Sequence, residues 1–240
     1  MSTNLKITIG ITYLISLSIL LYFVFSFLDL TRLSDYSYIK ENTKSLIEFK
    51  DNNTTSFVIT FYLFVIVWIL LLGFGSPISI VCGFIFGKYI GTLICLTSFT
   101  MGCSLLYLLA NAYFKNLVEK YLENKIDKLK TLFNKNELLY FMLFRFVGGG
   151  GIPFGIQNVL PVIFNMRFKN YVYATFLGLI PTTFIICSIG SGIESIIENN
   201  ESPTIFDAIL NPDIYIPLLS FLTILIISYF IKNKIFKDNN

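Results

Sequence analysis

No stretch of this chain constrains the fold more than residues 138–170, LLYFMLFRFVGGGGIPFGIQNVLPVIFNMRFKN. It is apolar enough to enter a bilayer, yet Gly148 to Gly151 and Pro153 interrupt it midway. In a helix interior glycine costs about 1 kcal/mol and proline about 3. The pattern predicts two half-helices, 138–147 and 155–165, with irregular backbone between them. Backbone without internal hydrogen bonds persists at membrane depth only inside protein or along a wet cavity. Arg145 precedes the break, and Gln157 and Asn158 follow it. A charge at that depth is expensive and marks a functional site by default. The segment reads as a re-entrant hairpin whose candidate substrate-binding residues are Arg145, Gly148, Gly149, Gly150, Gly151, Pro153, Gln157 and Asn158.

Composition supports a membrane setting. The chain is 55% hydrophobic with a mean hydropathy of +0.71, and only 14% of it is charged. A soluble domain carries about 25% charged residues, so an all-α polytopic membrane protein is expected. A net charge of +3 is too small to suggest nucleic acid. Histidine is absent, which removes the commonest catalytic base and metal ligand. Cys82, Cys95, Cys103 and Cys187 sit singly in apolar segments and read as small buried hydrophobes, not a disulfide framework or metal site. No metal or cofactor is expected.

In chain order, the apolar run 7–28 is longer than the roughly 7–15 residues of a signal-peptide core and reads as a membrane helix. Residues 29–55 form a polar, mixed-charge loop, and 56–75 is long enough for a full crossing. In 76–91, SPISIVCGFIFGKYIG, the residues Pro77, Gly83, Gly87, Lys88 and Gly91 suggest a second re-entrant element, with a kink or a small-residue packing face as the alternative. Residues 91–113 make a third crossing. The stretch 114–137 alternates apolar residues with six lysines at helical spacing, as an interfacial helix or a solvated connector would. Residues 171–193 cross again, with Pro181 as a kink. An acidic loop over 194–213 and a last crossing over 214–231 complete a plan of five crossings and two hairpins. The chain divides into 1–55, a core over 56–193, and 194–240.

Lysine and arginine concentrate in 29–55, 114–137 and the C-terminal tail, which places these in the cytoplasm. The N-terminus and the acidic loop then lie outside, and the two broken segments enter from opposite faces. Transporters built on inverted repeats share this plan. There is an echo in sequence: Gly83-Phe-Ile-Phe-Gly87 can be set against Pro161-Val-Ile-Phe-Asn165.

Two regions resemble the DedA/VTT superfamily, also called the SNARE-associated Golgi protein family, and within it the Tvp-like bacterial branch. One is GFIFGKYIG with the glycine-containing helix that follows. The other is the order Arg145, Pro153-Phe154, Asn158, Arg167-Phe168, Pro181. The likeness covers about 74–193. Asn111 stands where many relatives carry arginine, and no acid occurs over 52–118 or 138–193. Members of the DedA branch proper are similar to proton-linked transporters with membrane carboxylates, so the resemblance does not carry proton coupling to this chain. What it implies is movement of lipid between leaflets, either phospholipid or polyprenyl phosphate.

The residues agree on the kind of ligand. Arginine's planar fork suits a phosphate, and half-helix N-termini present free N–H groups to anions. The competing readings are that Arg145 braces helix carbonyls, that Gln157 and Asn158 bond the freed backbone, and that Lys88 snorkels to the interface. An enzyme is not expected, since neither histidine nor membrane acids are present to act as a base. A structural or membrane-assembly protein and a small-anion transporter are the alternatives to a scramblase-like lipid transporter. A homo-oligomer is compatible with all three. Residue usage rich in Ile, Asn, Lys and Phe suggests a bacterial inner (plasma) membrane.

Overall fold

The computed structural model describes residues 36–115 and 136–199 continuously, with scattered positions over 15–22 and 210–226. Every regular element among the described residues is helical. The crossing 7–28, the lysine-rich helix over 114–137 and most of the acidic loop therefore lie wholly or largely outside the described residues, while the expected crossing 214–231 is described and helical over 214–220. The chain divides into a unit of residues 1–54 and a larger one of 55–240. In the first, α1 (Tyr36–Asn52) occupies much of the expected polar loop. Its lysines and glutamates are good helix formers, so polarity there did not imply irregular backbone.

The larger unit begins with α2 (Thr54–Leu70), which ends five residues short of the expected 75. It ends at Leu70, and the chain turns back through 71–74, with Leu72 in the left-handed region at φ 58°. The Trp68 indole donates to the Phe74 carbonyl at 2.9 Å and staples this turn. The next helix, α3, is assigned over Gly75–Leu109 but is not one rod. Gly87 breaks it with φ 76° and ψ 171°. Residues 82 and 91 would lie about 13 Å apart along a continuous helix; instead the Cys82 Sγ is 3.2 Å from the Gly91 carbonyl. The limb 75–86 also runs back along α2, because Phe86 packs on Phe57 and Phe61 at ring distances of 5.9 and 5.3 Å. The first hairpin is therefore α2, a tip at 71–74 and the limb 75–86, not the stretch 76–91. After Gly87 the chain reverses again into a long helix that ends in a wider π turn (Ala110–Phe114).

The second hairpin repeats this plan. Helix α4 (Glu137–Phe146) is capped by the Asn136 side chain, which accepts from the Leu139 N–H at 3.1 Å. Gly148–Gly151 form one tight 3-10 turn, and α5 (Phe154–Val159) and a second 3-10 turn (Leu160–Val162) return the chain. The mouth is closed by Glu137, which meets Arg167 Nε at 2.8 Å and Asn170 Nδ2 at 2.5 Å. Ten residues of α4 reach about 15 Å, half of a hydrocarbon core of about 30 Å. A turn through Asn165 (φ 51°) leads into α6 (Phe168–Asn199). That helix runs six residues past the expected 193, so Glu194 and Glu198 are helical.

The faint sequence echo acquires a physical meaning here. Gly87 and Asn165, its last residues, are both at positive φ, and each joins a hairpin to a long helix. Asparagine tolerates that region better than other residues with a side chain.

Two stretches among the described residues are long and apolar enough to cross a membrane: Gly75–Tyr113, which holds the reversal at Gly87, and Phe168–Glu198. They pack closely against each other. A Cβ on Gly83 would fall 1.9 Å from the Cys187 carbonyl, and one on Gly190 would fall 2.0 Å from that of Ile80. All four cysteines are free and buried, as their scattered apolar positions suggested.

Candidate functional site

Arg145 is fully buried. It lies on the last turn of α4, and α6 approaches so closely there that a Cβ on Gly178 would sit 2.6 Å from the Arg145 Cβ. The side chain then extends along α6 toward Tyr171, whose hydroxyl is 3.4 Å from Nη2. Two residues of α5 receive the fork: Asn158 Oδ1 accepts from Nη2 at 2.5 Å and Gln157 Oε1 from Nη1 at 3.3 Å. The guanidinium carbon lies 5.0 Å from the Phe141 ring centre and 5.3 Å from that of Phe154. Both distances suit cation–π attraction. Among the described residues no carboxylate pairs with this arginine, and its Nε has no hydrogen-bond partner.

The surrounding groups hold the amides in place. Gln157 Nε2 donates to the carbonyls of Ile152 at 2.6 Å and Gly148 at 3.3 Å, which ties the glycine turn to α5. The turn needs glycine: Gly148, Gly149 and Gly151 all have positive φ, and the Gln157 side chain lies over Gly149. The Cys103 thiol donates to Asn158 Oδ1 at 3.2 Å. The Tyr171 hydroxyl lies 3.2 Å from the carbonyls of both Cys103 and Asn158. Its ring stacks between Tyr107 and Phe141 at 4.6 and 5.4 Å, forming an aromatic layer between Arg145 and the hairpin mouth.

On its other side Arg145 lines a cavity of about 280 Å³ where the two hairpin tips meet. The first tip supplies Phe74, Gly75, Ser76 and Ser79; the second supplies Gly148, Ile152, Phe154 and Gln157. Thr182 and Thr183 of α6 add hydroxyls, and Phe99 of α3 closes an apolar wall. A fixed cation, neutral polar groups and aromatic walls together suit an anion attached to an apolar body.

Of the expected second-tip residues, Arg145, Gly148 and Gln157 line the cavity and Asn158 holds the arginine from behind. Pro153 is the residue from which α5 starts, and Gly149, Gly150 and Gly151 shape the turn. The first group behaves differently. Pro77, Gly83, Gly87, Lys88 and Gly91 are not among the cavity-lining residues. Pro77 sits in the first turn of α3, where its missing N–H costs nothing. Gly83 allows contact with α6, and Gly91 lies against Cys82. Lys88 follows the Gly87 reversal, with its Nζ 5.8 Å from the Tyr89 ring. Ser76, Ser79, Thr182, Thr183, Cys103 and Tyr171 escaped the sequence reading, because a serine or tyrosine in an apolar helix resembles any other. Pro77 just after Gly73-Phe-Gly75 was the available signal, since proline favours the first helical turn. Asn111 lies in the π turn and is exposed, away from the cavity.

A sequence model of the VTT domain matches residues 73–192, half of the chain, and takes in the end of the first tip, the whole second tip, the cavity lining and most of α6. No solved structure matches the chain.

Proposed function

Because this chain belongs to the VTT domain family of DedA/SNARE-associated Golgi proteins and is an integral membrane protein, we propose that it moves phosphate-bearing lipids between leaflets. The phosphate meets Arg145 in the cavity between the tips, while the tails stay in hydrocarbon. The reading rests on one observation above all: a fully buried arginine with no carboxylate partner among the described residues, lining a cavity where two helical hairpins meet. Such a charge is costly unless a counter-ion visits it. Binding and release suffice for this activity, and we assign no catalytic step. The substrate is a phospholipid or polyprenyl phosphate.

In this reading the first hairpin dips into the membrane and returns, so α2 is not a crossing. Among the described residues the crossings are then the helix after Gly87 and α6. The end bearing Lys115, Arg167 and Lys169 faces the cytoplasm, and that bearing Glu194 and Glu198 faces outward. The bilayer is a bacterial plasma membrane.

The test is translocation of a fluorescent phospholipid in proteoliposomes, with thermal stability measured alongside. Arg145→Ala is expected to abolish translocation while leaving a folded protein, and Arg145→Lys to lower it strongly, since the ammonium keeps charge without the two-pronged geometry. Full translocation by a stable Arg145→Ala protein would sink the proposal. Aggregation of that variant, with Arg145→Lys fully active, would favour a bracing role.

A further inference from the structure

Among the described residues no side chain caps the helix that leaves the first tip. Helix α3 starts at Gly75, and Phe74, the residue before it, has extended backbone (φ −72°, ψ 136°) and a side chain that cannot cap. The first N–H groups of a helix have no partner within it, and here no side chain supplies one. Gly75 and Ser76, the first two residues of that turn, line the cavity that Arg145 lines from the opposite tip. The helix runs twelve residues before the break at Gly87, enough for its aligned peptide dipoles to place a partial positive charge at this end. Ser79 Oγ donates to the Gly75 carbonyl at 3.1 Å, which leaves its lone pairs free. Arg145, whose buried Nε has no hydrogen-bond partner, lines the same cavity.

We infer that the α3 N-terminus at Gly75 and Ser76 is the second jaw of the anion site, so that a phosphate is clamped between these two backbone N–H groups of the first hairpin and Arg145 of the second. The inference rests on the Arg145 reading and adds a binding element to it. Its ligand chemistry is a phosphate oxyanion, borne by a lipid headgroup or by free phosphate. Because each jaw belongs to a different hairpin, the anion itself joins the two tips. Pro77, which looked like a helix breaker, instead starts the turn that carries the jaw.

The experiment places negative charge at this jaw without touching the other. Phe74 lines the cavity and occupies the N-cap position, where aspartate is a good capping residue, so Phe74→Asp puts the charge on the jaw itself. Ser76→Glu adds a charge in the first turn, with Ser76→Gln as its neutral isostere. Binding is measured on the full chain in detergent by thermal shift with short-chain dihexanoyl phosphatidylglycerol, and separately with inorganic phosphate. The lipid raises Tm of the unaltered protein; a shift with inorganic phosphate alone assigns the clamp to free anions. Phe74→Asp is expected to raise the Tm of the empty protein yet weaken binding about tenfold or more. Ser76→Glu is expected to weaken it similarly and Ser76→Gln no more than about threefold. If Phe74→Asp and Ser76→Glu bind normally while Arg145→Ala does not, the clamp is overturned and the arginine site stands. Normal binding by Arg145→Ala overturns both.

Discussion

The two hairpins share a plan and divide the chemistry unequally. Each enters, turns at a tip, returns and passes through one positive-φ residue, Gly87 or Asn165, into a long helix. The second tip carries the arginine, two amides and four glycines. The first has Leu72 in a left-handed conformation that costs a residue with a side chain about 1–2 kcal/mol. It contributes two serines and an uncapped helix start, and no charged side chain, to the cavity. The difference teaches that a repeated backbone fixes where two tips meet, while side chains decide which of them carries charge. Four glycines let the second tip wrap around Gln157, whereas the tip with Leu72 must be held by contacts such as Trp68 on Phe74.

The comparison is most severely challenged by asking whether the hairpins open to opposite faces. In a variant without native cysteines, Lys88→Cys at the first hairpin's exit and Glu198→Cys should label fully with an impermeant maleimide from outside. Lys169→Cys beside the second exit should label only after permeabilisation. Labelling of Lys88→Cys and Lys169→Cys from one side would end the inverted-repeat reading.

The unequal chemistry is sharpened at Asn158. Asn158→Leu removes the acceptor at 2.5 Å from a buried guanidinium and is expected to cost about 3 kcal/mol, read as a lower unfolding midpoint. Asn158→Asp supplies the missing counter-charge. It should raise Tm and abolish translocation, because Arg145 would no longer need a visiting anion. A fully active Asn158→Asp protein would show that transport does not use the uncompensated charge.

The smallest effect is expected at the second hairpin's mouth. Burial opposes ionisation of Glu137, but hydrogen bonds from Arg167 and Asn170 and the Arg167 charge outweigh it and hold the carboxyl below its usual range. A lowered folded-state pKa stabilises above the unfolded value, about 4.3 for glutamate, and is lost as pH falls through the folded value. Arg167 is mostly exposed, so the ion pair is discounted to less than about 1 kcal/mol. Glu137→Gln should therefore lower Tm slightly at pH 7, and the gap should close below about pH 4. A gap that persists unchanged in acid would assign the clasp's contribution to packing.

Much of the second hairpin could be read from the chain, because a run of four glycines and a proline inside apolar sequence has few other outcomes. Arg145, Gln157 and Asn158 followed from the same reasoning, since polar groups beside a break at membrane depth need a purpose. The first hairpin was only partly legible, for a definable reason. Pro77, Gly83, Gly87 and Gly91 look alike as helix breakers, yet only Gly87 breaks the helix. Gly83 is small because the Cys187 carbonyl lies against it, and Gly91 because Cys82 does. Whether a glycine bends a chain or admits a neighbour depends on what lies opposite, which no local pattern contains.

By itself, then, the sequence determined the helical membrane class, the four buried thiols, the position of the second tip and the residue types placed there. Those follow from hydropathy and from backbone propensities that act over a few residues. Only the tertiary structure decided that the first tip lies at 71–74, that it meets the second around one cavity, and that Ser76, Ser79, Thr182 and Thr183 share that cavity with Arg145. Those facts depend on contacts between segments some 70 to 110 residues apart along the chain, set by close packing of α3 against α6.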